Sequence, residues 1–212
     1  MVSIYDLKPK FQQLLAPFLE FLIKRRLTPN MITLLALVGS IMVGVIIWIT
    51  RQQPNWLLIM PVWLFLRMAL NAMDGMMARK YDLGTPLGCI LNELGDVLSD
   101  LALYLPLSFI VPEIFGIMTL FCIGAVITEF CGVLGYALGV KRHYEGPMGK
   151  SDRAFLVGAL VLITVFWNGI KNYWHWFFLI AVILMVWTCI NRIKAILKEI
   201  KGVQTIDDTG VQ

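Results

Sequence analysis

The sequence predicts an all-α fold: a polytopic integral membrane bundle of six transmembrane helices, preceded by an amphipathic helix lying in the interface. Of its 212 residues 58% are hydrophobic and only 15% charged, an apolar share too high for a soluble domain of ordinary composition. The apolar residues gather in six stretches, 31–50, 56–78, 87–111, 114–140, 155–170 and 173–193. A spanning helix needs about 20 such residues. Little chain remains for a soluble domain, and no long-period repeat or composition shift marks a boundary. Residues 1–212 therefore read as one domain, with 1–28 the interfacial helix, 29–201 the six-helix bundle and 202–212 a flexible tail.

The elements follow in order. Residues 4–27 alternate apolar clusters (Phe11, Leu14, Leu15, Phe18, Phe21, Leu22) with Lys and Gln at helical spacing, and the start lacks a small-residue cleavage site. That is the pattern of an interfacial helix, not of a signal peptide. Thr28-Pro29-Asn30 stops it and supplies a capped start for the first span, because proline is tolerated in a first helical turn. Ser40-x-x-x-Gly44 in that span allows close helix packing. Gly84-Thr85-Pro86 breaks the second span from the third, making residues 71–79 and 88–100 the arms of a helical hairpin. Pro112 ends the third span, and Tyr144 to Gly149 form the one sizeable internal loop before the fifth. Trp167, Tyr173, Trp174, Trp176, Phe177 and Phe178 flank the external end of the last hairpin, as interfacial belts do. Asp207 onwards reads as a frayed polar tail.

Charge sets the orientation. Lys8, Lys10, Lys24, Arg25 and Arg26 precede the first span; Arg79 and Lys80 follow the second; Lys141, Arg142, Lys150 and Arg153 follow the fourth; and Arg192, Lys194, Lys198 and Lys201 close the last. The connections on the other side are poorer, with Arg51 and Lys171. The positive-inside bias places both termini in the cytoplasm. The basic amphipathic start is suited to anionic headgroups, and nothing points to nucleic acid. Cys89, Cys122, Cys131 and Cys189 lie in apolar stretches without C-x-x-C spacing, so packed thiols are expected, with no disulfide and no zinc.

The chemistry concentrates in the second and third spans. Asp74, Asn92, Glu93, Asp96 and Asp100 interrupt them, and a charge at a helix centre costs roughly 2.5 to 3.5 kcal/mol on insertion scales. Their polar parts are therefore expected near a membrane face. Helical spacing aligns Asn71, Asp74 and Ala78 on one arm and Gly88, Asn92, Asp96 and Asp100 on the other, two stripes that face each other. Carboxylate and amide oxygens grouped in this way suit a hard divalent cation shared with substrate phosphates. Gly75 and Gly88 let a ligand approach the helix backbones, Arg79 offers a planar cationic fork for phosphate, and an aspartate beside a metal-bound phosphate is placed to take a proton from an attacking hydroxyl.

The segment Asn71-x-x-Asp74-Gly75-x-x-Ala78-Arg79, then eight residues, then Gly88-x-x-x-Asn92-x-x-x-Asp96 resembles the signature of the CDP-alcohol phosphotransferases, D-x-x-D-G-x-x-A-R-x(8)-G-x-x-x-D-x-x-x-D. Pro29-Asn30-x-x-Thr33 at the head of the first span and the count of six spans extend the likeness over most of the chain. The resemblance implies a membrane enzyme that displaces CMP from a CDP-linked lipid or alcohol with a hydroxyl acceptor, using two divalent cations, Mg²⁺ or Mn²⁺. It implies that Asp74 binds metal, that Asp96 serves as base and ligand, and that Asn71 and Asn92 stand at the other two metal positions. Gly75, Ala78, Arg79 and Gly88 would surround the nucleotide's phosphates, Thr85 would join the same pocket, and Asn30 with Thr33 would lie against the nucleotide. By analogy with the family the chain is expected to form a homodimer.

Two of the four motif carboxylates are replaced here by the neutral amides of Asn71 and Asn92, which still offer oxygen but less charge attraction. Metal loading is then expected to be assisted by substrate. Asp100, one helical step beyond Asp96, and Glu93 are candidate auxiliary residues. The runs Arg67 to Asn71 and Leu91 to Asp96 also resemble the YnbA-like branch of bacterial inner-membrane proteins, which carries asparagines too.

Other features carry competing readings. Asp74, Arg79 and Asp96 would also suit a structural ion-pair network between helices. Lys150 and Arg153, at the cytoplasmic end of the fifth span, face the side of Arg79 and are candidates to hold an acceptor's phosphate, or serve only as positive-inside anchors. Gly149-Lys150-Ser151 mimics the end of a P-loop, but Tyr144 stands where that motif needs glycine and no strand precedes it. Glu129, deep in the fourth span, is by default a candidate for a functional role, and equally a residue that is protonated or paired with Arg67. Taken together, the expectation is transfer of a substituted phosphate, phosphatidyl above all, from CDP-diacylglycerol or another CDP-alcohol to a hydroxyl acceptor at the cytoplasmic face of a bacterial inner membrane, in phospholipid biosynthesis. The alternative is a CDP-lipid-binding protein without catalysis, its metal site weakened by Asn71 and Asn92. A transporter ranks below both, because no inverted pair of broken helices is visible.

Overall fold

The computed structural model describes residues 4–51 and 53–209. Those residues form seven α-helices, α1 (Ile4–Lys24), α2 (Pro29–Ile49), α3 (Ile59–Lys80), α4 (Pro86–Tyr104), α5 (Phe115–Ala137), α6 (Lys150–Phe166) and α7 (Trp174–Thr209), with short 3-10 segments between them and no strand. Four helices among the described residues are long and apolar enough to cross a membrane: Pro29–Ile49, Asn55–Lys80, Pro112–Ala137 and Asn168–Gly202. The other two expected spans differ. α4 carries Glu93, Asp96 and Asp100 along its length, and α6 has 17 residues.

Capping chemistry explains where the site-bearing helices begin. Thr28 Oγ1 accepts from Met31 N at 3.3 Å with Pro29 in the first turn of α2, and Thr85 Oγ1 accepts from Gly88 N at 3.0 Å with Pro86 in the first turn of α4. The third expected span ends early as an α-helix. α4 stops at Tyr104 and the chain tightens into a 3-10 segment, Leu105–Phe109, because Pro106 has no N–H to continue the ladder. At the other end of the chain α7 runs to Thr209, past the start of the tail expected at residue 202; residues 210–212 lie outside the described residues.

α2 packs on both α3 and α4, α5 on α7, α3 on α6 and α4 on α5. Ser40 and Gly44 make the first of these contacts close, as their spacing predicts. Ser40 Oγ accepts from Trp63 Nε1 of α3 at 3.0 Å, and Gly44 lies against the backbone carbonyl of Ala102 in α4, where any side chain would collide. The main core joins Leu103, Tyr104, Phe121, Val157, Val161 and Phe178. A second cluster packs Leu15 and Leu19 of α1 against Ala69, Leu70 and Met73 of α3, beside the ring contact of Phe11 with Phe65 at 6.2 Å. Not all of the expected aromatic belt faces outward: Trp174 and Phe178 are fully buried, with Phe178 edge-on to Phe121 at 5.0 Å. Helical spacing separates them from Trp176 and Phe177, which remain exposed. The four cysteines are free, and Cys89 is exposed where packing was expected.

Candidate active site

The site is built on the α3–α4 hairpin, whose two polar stripes meet. Asn71 Nδ2 of α3 donates to Asp96 Oδ1 of α4 at 3.0 Å. Asp74, one turn further along α3, is buried and accepts from Thr33 Oγ1 of α2 at 2.8 Å, while the same hydroxyl reaches Pro29 O at 3.1 Å. Asn92 is half-buried on α4, one turn before Asp96. The head of α2 and the start of α4 are tied together by Asn30 Nδ2, which donates to Thr85 Oγ1 at 3.3 Å. Gly88 is what permits that approach, since a Cβ there would stand 2.5 Å from Asn30 Oδ1. Arg79 is exposed at the end of α3, its guanidinium folded over Gly75, where a Cβ would lie 3.1 Å from a guanidinium nitrogen. Ala78 sits beside it, half-buried. The structure thus brings Asn30, Thr33, Asn71, Asp74, Thr85, Gly88 and Asp96 to one end of the bundle.

Asp96 is contacted by three side chains, Asn71 among them. Lys150, the first residue of α6, pairs with its Oδ2, and Arg67 Nη2 lies 3.3 Å from its Oδ1. The backbone before Lys150 is fixed. Gly146, at φ +127°, lies so close to Thr188 that a Cβ would stand 2.6 Å from it; Met148 N donates to Thr188 Oγ1 at 3.0 Å; and Gly149 N donates to Asp152 Oδ2 at 2.9 Å. Lys150, a candidate to hold an acceptor's phosphate or to anchor the cytoplasmic end of α6, is paired with Asp96.

Behind the hairpin lies an ion-pair network that the sequence only hinted at. Arg67 Nη1 donates to Asp100 Oδ1 at 2.6 Å, and Arg153 donates to Asp100 Oδ2 and to Glu129 Oε1, each at 2.9 Å. Arg142 pairs with Glu93 and, at 2.5 Å, with Glu129, and Arg192 lies 3.7 Å from Glu129. Burial opposes the charge on Arg142, and Glu93 with Glu129 outweigh it, holding its pKa above the ordinary value. Two expectations change here. Glu129 pairs not with Arg67 but with Arg142, Arg153 and Arg192, because α5 meets α4 and α7 while Arg67 on α3 reaches α4. Arg153, a candidate to hold an acceptor's phosphate or to serve as a positive-inside anchor, is 0% exposed and pairs with Asp100 and Glu129, which a surface anchor would not do. Asp100 and Glu93, candidate auxiliaries, serve as partners of arginines. Sequence reasoning missed Arg142 and Arg192 as members of this network and gave Arg67 another partner; Arg67, one turn before Asn71 inside an apolar span, was the available signal.

Among the described residues no group of three or more His, Cys, Asp or Glu side chains is placed to hold a metal ion. The donor types would suit one hard cation, for which Asp74 would supply a carboxylate and Asn71 and Asn92 amide oxygens. They do not suit a second cation on Asp96, whose oxygens already face Lys150, Arg67 and the Asn71 amide.

Comparison with known proteins adds an independent line. A sequence model described as CDP-alcohol phosphatidyltransferase matches residues 26–187. The inner membrane protein YnbA of Escherichia coli (strain K12) is 44% identical over 199 residues, covering 92% of this chain and 97% of that protein. Among solved structures, the Mycobacterium tuberculosis phosphatidylinositol phosphate synthase PgsA1 with CDP-DAG bound superposes with a TM-score of 0.70 at 19% identity, over 85% of this chain and 92% of that one. The same enzyme in complex with manganese and citrate gives a TM-score of 0.71, also at 19% identity, over 85% and 88% of the two chains.

Proposed function

The chain belongs to the CDP-alcohol phosphatidyltransferase family, and from that premise we propose that it transfers a phosphatidyl group from CDP-diacylglycerol to a hydroxyl acceptor, releasing CMP, at the cytoplasmic face of a bacterial inner membrane. The observation that carries this reading is the meeting of Asn71 and Asp96 at 3.0 Å across a hairpin whose signature spacing is intact. In this reading α4 and α6 cross the membrane beside the four long apolar helices, and the positive-inside bias supports both termini and the hairpin turn on the cytoplasmic side. Support for a CDP-linked lipid as donor and for a divalent cation comes from PgsA1, solved with CDP-DAG and with manganese.

In this mechanism Asn30, Thr33 and Thr85 line the nucleotide end, and Arg79, free at the end of α3 above Gly75, closes over the phosphates. Asp96 takes the proton of the acceptor hydroxyl as its oxygen attacks the phosphorus that bears the lipid; the bond from that phosphorus to the bridging oxygen of the pyrophosphate breaks and CMP departs. Asp74, with Asn71 and Asn92, would hold a divalent ion, Mg²⁺ or Mn²⁺, which when bound screens the pyrophosphate and stabilises the leaving CMP. The protein is expected to act as a homodimer.

A second reading, CDP-lipid binding without turnover, is favoured by Asn71 and Asn92 in place of two carboxylates. One experiment separates the two. Purified protein is given CDP-diacylglycerol, Mg²⁺ or Mn²⁺ and a panel of polar acceptors, and CMP is measured. Metal-dependent release identifies the acceptor; binding of CDP-diacylglycerol with no release from any acceptor refutes the transferase and leaves the binding protein.

A further inference from the structure

Lys150 is not a wandering surface lysine. Its side chain is 29% exposed, its ammonium sits on Asp96, and the residues before it are pinned to Thr188 by Gly146 and Met148. Asp96 therefore has cations against both oxygens, Lys150 on one and Arg67 on the other, with the Asn71 amide beside Arg67. A divalent ion placed there would meet that ammonium, and its repulsion is double that between two single charges at the same distance.

We propose that Lys150 is the built-in cation of the transfer site, standing on Asp96 in the position of a second divalent ion, so that this chain loads a single ion, at Asp74. The inference rests on the phosphatidyl-transfer reading for the identity of the substrate. Charge balance supports it. Asp74, Asp96 and a pyrophosphate with two charges bring four negative charges, and Lys150, Arg79 and one divalent ion bring four positive ones. A second ion would leave two positive charges uncovered. The neighbouring network worsens that excess, since Arg67, Arg142, Arg153 and Arg192 outnumber Glu93, Asp100 and Glu129 by one. The amides at positions 71 and 92 belong to the same arrangement: with Lys150 in place of a second ion, the one remaining positive charge there does not call for the two further carboxylates that a divalent ion would.

The test counts metal rather than turnover. Bound Mn²⁺ is measured by electron paramagnetic resonance on the detergent-purified full chain with CDP present. The expected result is one ion per wild-type chain and one in Lys150→Arg. Lys150→Met should tighten Mn²⁺ binding at least tenfold, and Lys150→Met combined with Asn71→Asp and Asn92→Asp should hold two ions. Two ions per wild-type chain, or none, would overturn the proposal, as would a folded Lys150→Met with unchanged Mn²⁺ binding. If Lys150→Met fails to fold, the wild-type count and Lys150→Arg decide. CMP release from CDP-diacylglycerol, assayed on the same preparations, keeps the two readings apart: one ion per chain with no release sinks the transferase and leaves the lysine's role standing.

Discussion

Arg153 donates to Asp100 Oδ2 at 2.9 Å from a position with no solvent exposure, so the fifth and third expected spans are joined by a charged bond inside the bundle. Glu129 completes the pairing from α5, again at 2.9 Å. Two carboxylates on separate helices thus share one guanidinium nitrogen, Nη2, which carries two N–H donors and gives one to each.

That sharing makes Arg153 a stability residue first. Arg153→Met leaves Asp100 with Arg67 alone and strips Glu129 of its closest α6 partner. A loss of about 3 to 5 kcal/mol is expected, because removing one member of a buried pair leaves the other charge uncompensated. Thermal unfolding in detergent checks it; an unchanged melting temperature would mean the network carries little.

Asp96→Asn keeps the shape of the hairpin and removes the proton acceptor. CMP release should fall by about 10² to 10⁴, with CDP-diacylglycerol still bound. Preserved turnover would refute the assignment of Asp96 as base.

Gly88→Ala introduces a methyl group 2.5 Å from Asn30 Oδ1 and forces the Asn30 to Thr85 contact apart. The KM for the CDP-linked donor should rise about tenfold, equivalent to roughly 1.4 kcal/mol, with kcat and melting temperature little changed. A kcat effect without a KM effect would move Asn30 away from the nucleotide.

Chelation should stop the reaction. CMP release is expected to vanish on dialysis against EDTA and to return with Mg²⁺ or Mn²⁺, because the leaving group departs with charge that Arg79 and Lys150 cannot balance alone. Activity that survives EDTA would place all of that charge on the side chains.

Cys89 is exposed in the first turn of α4, beside the hairpin turn. A membrane-impermeant maleimide should label it in inside-out vesicles and not in intact cells. The reverse pattern would invert the proposed orientation.

The sequence by itself determined the solvent and the local geometry. Composition demanded a bilayer, Thr28-Pro29 and Thr85-Pro86 set helix starts through caps that involve only neighbouring residues, and the spacing that aligns Asn71 with Asp74 and Asn92 with Asp96 predicted two facing stripes, of which Asn71 and Asp96 meet. Periodicity reaches that far because it is a property of one helix. It does not say which helix stands opposite. The partners of Glu129, the burial of Arg153 and the contact of Lys150 with Asp96 join residues on different helices, and only the packing of α4, α5, α6 and α7 decides them. The reason is the cost of an unpaired charge inside the bundle: each guanidinium and carboxylate takes the opposite charge that the tertiary structure brings within reach, not the one the sequence makes a neighbour.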